Sequence, residues 1–97
     1  MHIRVTPGQI RPDKIEEGRA IFGELFAAYR QGGGFRQGYL AADEGSGEGL
    51  VVTLWDDEVA ARAATEEASP ILARLGPLMA SGQVPAPPRA FEVLLEG

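Results

Sequence analysis

The apolar residues of this chain repeat with a strand's period, then a helix's, then a strand's twice over, then a helix's again, and close on a strand's. Few architectures accept that order. "HIRVT" alternates, with Ile3 and Val5 on one face and His2, Arg4 and Thr6 on the other. "PGQIRPD" reads as a loop. From Asp13 to Gln31 a helical stripe carries Ile15, the Arg19 stem, Phe22, Leu25, Phe26 and Tyr29. "FRQGYLAA" and "GLVVTLW" are two strands, and "DEGSGEG" between them is a hairpin loop. A second helix follows Trp55 and runs to about Ala68, where Ser69-Pro70 breaks it. A further helical piece carries Ile71, Leu72, Leu75, Leu78 and Met79, divided near Gly76-Pro77. "SGQVPAPPR" is an extended connection, and "AFEVLLE" is the last strand.

Local signals mark the element ends. Pro12 and Asp13 suit a first helical turn, and Asp13 with Glu16 has the spacing of a reciprocal cap. Gly18 and Gly23 are expected to bring the first helix close to the sheet, and Gly32 to supply the left-handed stop. Asp56 is expected to cap the second helix. The order β-α-β-β-α-β in 97 residues defines one domain, residues 1–97, of the α+β ferredoxin-like class. It predicts a four-stranded antiparallel sheet with both helices on one face.

Alternation divides the strands into two sets. Ile3, Val5, Leu50, Val52, Leu54, Phe91, Val93 and Leu95 are expected to face the helices. The other set holds His2, Arg4, Thr6, Val51, Thr53, Trp55, Glu92 and Leu94, with Arg4 and Glu92 as a prospective ion pair. Val51, Trp55 and Leu94 are too apolar for a face left in water. A homodimer joined through that face is the expectation.

Several function classes are excluded. Net charge is −5 and the basic residues are scattered singly, which opposes nucleic-acid binding. There is no cysteine, hence no disulfide, thiolate nucleophile or zinc–thiolate site. No stretch approaches the ~20 apolar residues of a membrane span, and the start lacks a secretory pattern, so a cytoplasmic protein is expected. The glycines invite a phosphate-loop reading, which fails on direction. Gly32, Gly33 and Gly34 follow a helix instead of opening one, Gly45, Gly47 and Gly49 join two strands among acidic residues, and Lys14 is the only lysine. These glycines turn corners.

Little acid–base chemistry is on offer. His2 is the only histidine, too few for a histidine metal cluster, and reads as a partly exposed strand residue. Ser46, Ser69 and Ser81 sit in turns or at caps, outside any nucleophile elbow. Asp56-Asp57 and Glu66-Glu67 read as capping and solvated residues. The aromatic residues Tyr29, Phe35, Tyr39 and Trp55 are expected to meet around an apolar cleft for a flat organic ligand, with Arg36 or Arg4 as its polar anchor. Tyr39 and Trp55 carry polar tips and suit a pocket; Phe35 suits the core.

The whole chain resembles the antibiotic biosynthesis monooxygenase-like (ABM) domains of the dimeric α+β barrel superfamily. "HIRVTPGQIRPDKIEEGRAIFGELF" is similar to their first strand, Pro-Gly loop and first helix. "GFRQGYLAAD" resembles their second strand, and "LVVTLWDDEVAARAA" their third strand ending in Trp before an acidic helix start. "SPILARLGPLM", a proline-containing linker and "AFEVL" resemble their ending.

The resemblance implies a homodimer with a small cavity in each subunit. It also implies a monooxygenase of small phenolic or quinol-type compounds that uses O₂ without metal, flavin or other cofactor. A related branch degrades haem through a histidine in the second helical region, and Val59 to Met79 contain neither His nor Trp. Under the oxygenase reading, Tyr39, Trp55 and Arg36 position the substrate, and Tyr29 or His2 assists proton removal. The competing reading is a non-catalytic small-molecule binder or accessory homodimer on the same scaffold.

Overall fold

A computed structural model describes residues 1–79 and 88–97. Four strands, β1 (His2–Gln9), β2 (Phe35–Ala42), β3 (Glu48–Trp55) and β4 (Arg89–Glu92), form one sheet in the order β2-β3-β1-β4. Every pairing is antiparallel. Helices α1 (Ile15–Gln31), α2 (Glu58–Glu67) and α3 (Ser69–Ala73) join them, with 3₁₀ turns at Pro12–Lys14 and Gly76–Leu78. This is the ferredoxin-like split β-α-β arrangement expected from the periodicity. Among the described residues, no helix is long and apolar enough to cross a membrane.

β1 pairs with β3 along its whole length but with β4 only from His2 to Val5. Among the described residues it has no strand partner on that side beyond Val5. That lets Pro7, expected in a loop, sit inside the strand. The last strand is shorter than expected and ends at Glu92. Most of the proline-rich connection expected at "SGQVPAPPR" falls on residues 80–87, outside the described residues.

The two sheet faces are exchanged relative to the expectation. Trp55 (1% exposed), Thr53 and His2 are buried under the helices. Arg4 reaches α2, where its Nη1 donates to Thr65 Oγ1 at 3.0 Å. Ile3, Val5, Leu50, Val52, Leu54 and Phe91 therefore lie on the face away from the helices, since side chains alternate along a strand. His2 is a core residue, not a partly exposed one. The Arg4–Glu92 pair is replaced as well: Glu92 instead sits 3.8 Å from the chain's amino group.

The core is aromatic at one end. Tyr29 of α1 meets the Trp55 ring edge-on at 4.9 Å, and Phe35 meets it at 5.1 Å. Leu25, Ala61, Ala64 and Ala68 close around them. On α1, Ile21 and Gly18 are buried where the expected stripe had placed Arg19, whose guanidinium is exposed beside Glu16 and Glu44.

Three end signals act one position away from where the sequence suggested, or not at all. Asp57, not Asp56, caps α2 by accepting from the Ala60 amide at 2.8 Å. Gly32 is right-handed, and the left-handed residues are Gly33 and Gly34. Neither Asp13 nor Glu16 makes a side-chain cap, because Pro12–Lys14 forms a 3₁₀ turn first. Gly18 does allow a close approach, to Ile10, whereas Gly23 faces open space.

Candidate functional site

A cavity of ≈ 500 Å³ lies between the inner sheet face and helices α1 and α3. Its position follows from side-chain size along the strands. At the α2 end, Trp55 and Phe35 fill the space under the helices. At the other end the inward positions are held by Thr6 and Gly8 of β1, Gly49 and Val51 of β3, and Leu40 and Ala42 of β2. These small side chains leave room that Ile15, Phe22 and Leu25 of α1 roof from above, with Leu72, Leu75 and Met79 along the side. The wall is predominantly apolar. The polar side chains on it are Thr6, Gln9, Thr53 and Tyr29. A smaller depression of ≈ 320 Å³ between α1 and α2 carries Gln31 and Glu67 on its wall and lacks the apolar lining of the larger cavity.

The polar groups concentrate where the cavity meets the aromatic cluster. Thr53 Oγ1 accepts from the Trp55 Nε1–H at 2.9 Å, in buried surroundings. Burial pushes the Tyr29 phenol above its ordinary pKa, while Thr65 and the charge of Arg4 pull it the other way. Tyr29 is therefore a neutral hydrogen-bond donor at neutral pH, not a base. His2 Nε2 is buried with no hydrogen-bond partner among the described residues. No group of three His, Cys, Asp or Glu side chains among the described residues converges on a point that could hold a metal ion.

Of the five side chains expected to bind a ligand, the structure brings one to the cavity wall. Tyr29 lines it. Trp55 lies behind the wall and touches it through Thr53. His2 is buried one strand over, opposite Trp55. Arg36 is exposed and its Nε donates to Asp56 Oδ1 at 2.6 Å, away from the cavity. Tyr39 is on the open face of the sheet, 54% exposed.

The expected meeting of Tyr29, Phe35, Tyr39 and Trp55 therefore occurs without Tyr39. The cause is a β-bulge at Arg36: Phe35 pairs with Trp55 but Gln37 pairs with Leu54. One extra residue inverts the alternation, sending Phe35 inward and Tyr39 outward. Thr53 and Thr6 were missed as site residues. A hydroxyl on a strand gives no signal of its own until the face it points to is known.

A ferredoxin-like domain with a partly open apolar cavity between its sheet and helices is thereby defined. It is the fold of the ABM-like domains. The chain superposes on an antibiotic biosynthesis monooxygenase with a TM-score of 0.78 at 16% identity, covering 98% of this chain and 100% of the other. It is similar to SnoaB, a cofactor-independent oxygenase from Streptomyces nogalater, with a TM-score of 0.76 at 17% identity over 98% of this chain and 94% of that one. Likeness to the heme-degrader MhuD from Mycobacterium tuberculosis gives a TM-score of 0.63 at 21% identity, covering 100% and 99% of the two chains. No sequence-family model matches the chain, and no curated protein matches it.

Proposed function

We propose that this chain is a cofactor-independent monooxygenase acting on a small phenolic or quinol-type compound bound between its sheet and α1, with the cytoplasm as its place of action. The observation that carries this reading is the cavity itself: ≈ 500 Å³, apolar over most of its wall, with hydroxyl groups gathered at one end. The shared fold with SnoaB and the monooxygenase supports it.

In such a reaction the substrate supplies the electrons. A hydroquinone and O₂ give a hydroxyquinone and water: one oxygen atom enters at a ring carbon in place of its hydrogen, and the other leaves as water with two hydrogens while the ring is oxidised to the quinone. The protein's part is to hold the ring, exclude bulk water and stabilise charge that develops on the phenolic oxygen. Phe22 and Leu25 serve the first two tasks. Tyr29, a neutral donor, serves the third.

The same reading includes a homodimer. Ile3, Val5, Tyr39, Leu50, Val52, Leu54 and Phe91 share the sheet face that no helix among the described residues covers, with Tyr39 54%, Phe91 46% and Leu50 39% exposed. A contiguous apolar surface of that kind marks an interface, and a self-complementary face about a two-fold axis supplies the cover. The dimer contact thus uses the opposite strand positions from those first expected.

The alternative is a small-molecule binder, favoured by one observation: among the described residues the cavity wall carries no carboxylate and no imidazole. Oxygen consumption with a panel of hydroquinones, with and without protein, separates the two. Protein-dependent uptake that falls in Tyr29→Phe establishes the oxygenase. Saturable binding of the same compounds without uptake establishes the binder.

A further inference from the structure

The chain carries 9 basic and 14 acidic side chains, and all of them lie among the described residues. None is on the wall of the large cavity, and neither is the single histidine. Residues 80–87 read ASGQVPAP and add no charged side chain. The polar side chains on the wall are therefore all uncharged: Thr6, Gln9, Thr53 and Tyr29, whose phenol burial keeps neutral. The cations that stand elsewhere are already answered. Six of them are in ion pairs with carboxylates. Arg30 and Arg89 lie over the Phe35 and Phe91 rings. Arg4 is turned to Thr65 Oγ1 on α2 and is not on the wall. Next in the chain to the wall residues Ala42 and Gly47 stand carboxylates, Asp43 and Glu48, which take part in no ion pair among the described residues.

We infer that the cavity excludes negative charge, so that its ligand is an uncharged phenol or quinol bearing alkyl, ether, ketone or amide substituents and no carboxylate, sulfonate or phosphate. The inference deepens the oxygenase reading and rests on the same cavity. A carboxylate laid against this wall gives up hydration and gains no counter-charge, the costly form of burial. A carboxamide of the same shape keeps its hydrogen bonds, because hydroxyl and amide side chains both donate and accept. A substituent that passes the wall at Gly47 meets the carboxylates of the β2–β3 hairpin, and their repulsion acts over ~10 Å at moderate salt. The phenolic hydroxyl itself is admitted, since an ordinary phenol with a pKa of about 10 is neutral near pH 7.

The test compares 6-hydroxy-2-naphthamide with 6-hydroxy-2-naphthoate, which match in shape and differ in charge, by titration calorimetry of the wild-type protein. At neutral pH the carboxamide is expected to bind saturably and the carboxylate at least about tenfold more weakly. Lowering the pH by about one unit strengthens the apparent binding of the acid, as more of it carries its proton, and leaves the carboxamide within about twofold. Thr6→Lys places a cation on the wall and is expected to bring the carboxylate within about threefold of the carboxamide. Far-ultraviolet circular dichroism checks that variant, and the wild-type comparison decides the matter alone if it does not fold. The inference is overturned by wild-type binding of the carboxylate within about threefold of the carboxamide, by absence of saturable carboxamide binding, or by a folded Thr6→Lys that still rejects the carboxylate. Oxygen plays no part in this readout. Equal binding of the two probes would therefore sink the charge selection and leave the oxygenase reading to the uptake experiment.

Discussion

Tyr29 and Trp55 meet edge to face with ring centroids 4.9 Å apart, and this contact ties the C-terminal turn of α1 to the end of β3. Trp55 is 1% exposed, so its loss leaves a large void that small neighbours such as Ala61 and Ala64 do not fill. Trp55→Ala is expected to cost about 3–5 kcal/mol in urea denaturation, the range for deleting a large buried aromatic. The wild-type protein, with one tryptophan, is expected to emit at the short wavelength of a buried indole and shift red on unfolding.

The titration of Tyr29 gives a pH dependence of known sign. Its folded-state pKa is raised, with burial as the first cause. The native state therefore holds the proton more tightly than the unfolded chain. The associated stability is present in full below the ordinary tyrosine pKa of about 10 and is lost as pH rises through the folded value. Equilibrium denaturation across that alkaline window is expected to show a loss that Tyr29→Phe removes. An identical loss in Tyr29→Phe would assign it to another group.

The acid side belongs in part to Glu24 and Arg74, joined by two hydrogen bonds of 3.1 and 2.8 Å between α1 and the residue that follows α3. The Arg74 hydrogen bond, then its charge, lower the Glu24 pKa. The pair's contribution is present above the unfolded carboxylate range and fades as pH falls through the lower folded value. Both side chains are about half exposed, so the effect is small and screened by salt. Glu24→Gln is expected to flatten the acid limb of the stability profile slightly, and only at low ionic strength.

Three glycines predict a graded series. Gly47 has φ 78° and a side chain there would strike the Ile10 carbonyl, so Gly47→Ala is expected to cost more than the ~1–2 kcal/mol of a left-handed alanine. Gly33 has φ 78° but open space around it, so Gly33→Ala is expected to cost about that strain and no more. Gly23 is exposed in α1 with nothing near it, and Gly23→Ala is expected to stabilise by about 0.5–1 kcal/mol. Thermal denaturation of the three variants checks the order.

The sheet's open face predicts the oligomer. Sedimentation equilibrium is expected to return twice the 10.3 kDa chain mass at tens of micromolar, roughly where a standard interface is populated. Val52→Glu, in the middle of that face, is expected to return the single-chain mass with the far-ultraviolet spectrum retained. A wild-type chain that stays at the single mass refutes the interface.

Element order was legible because each element spans enough residues for its period to show. β2 was placed to the residue, and α1 nearly so. What alternation does not carry is which of two faces the chain's own helices cover. The face with His2, Arg4, Thr6 and Thr53 reads as polar because it borders a cavity and a hydroxyl cluster, not a dry core. The outer face reads as apolar, as an unpartnered interface does. Trp55, the largest apolar side chain, shares the polar-looking face and was the clue to its burial. The bulge at Arg36 left no sequence signal strong enough to separate Phe35 from Tyr39. Arg36 itself looked like a ligand anchor because its partner, Asp56, was expected at a helix cap.

Bulk is distributed unevenly along the inner sheet face, large toward Trp55 and Phe35 and small toward Gly8, Gly49 and Ala42. That asymmetry divides the labour of the molecule by address. Substitutions at the aromatic end cost folding, and so does one at Gly49, where a side chain would strike the Ala41 carbonyl, whereas Gly8 has room for one. Gly8, where an added methyl group would make ordinary contact with Met79, is a dial for ligand size that evolution or an engineer could turn without first re-founding the core. A cavity so built changes shape by small steps, each one compatible with a folded protein.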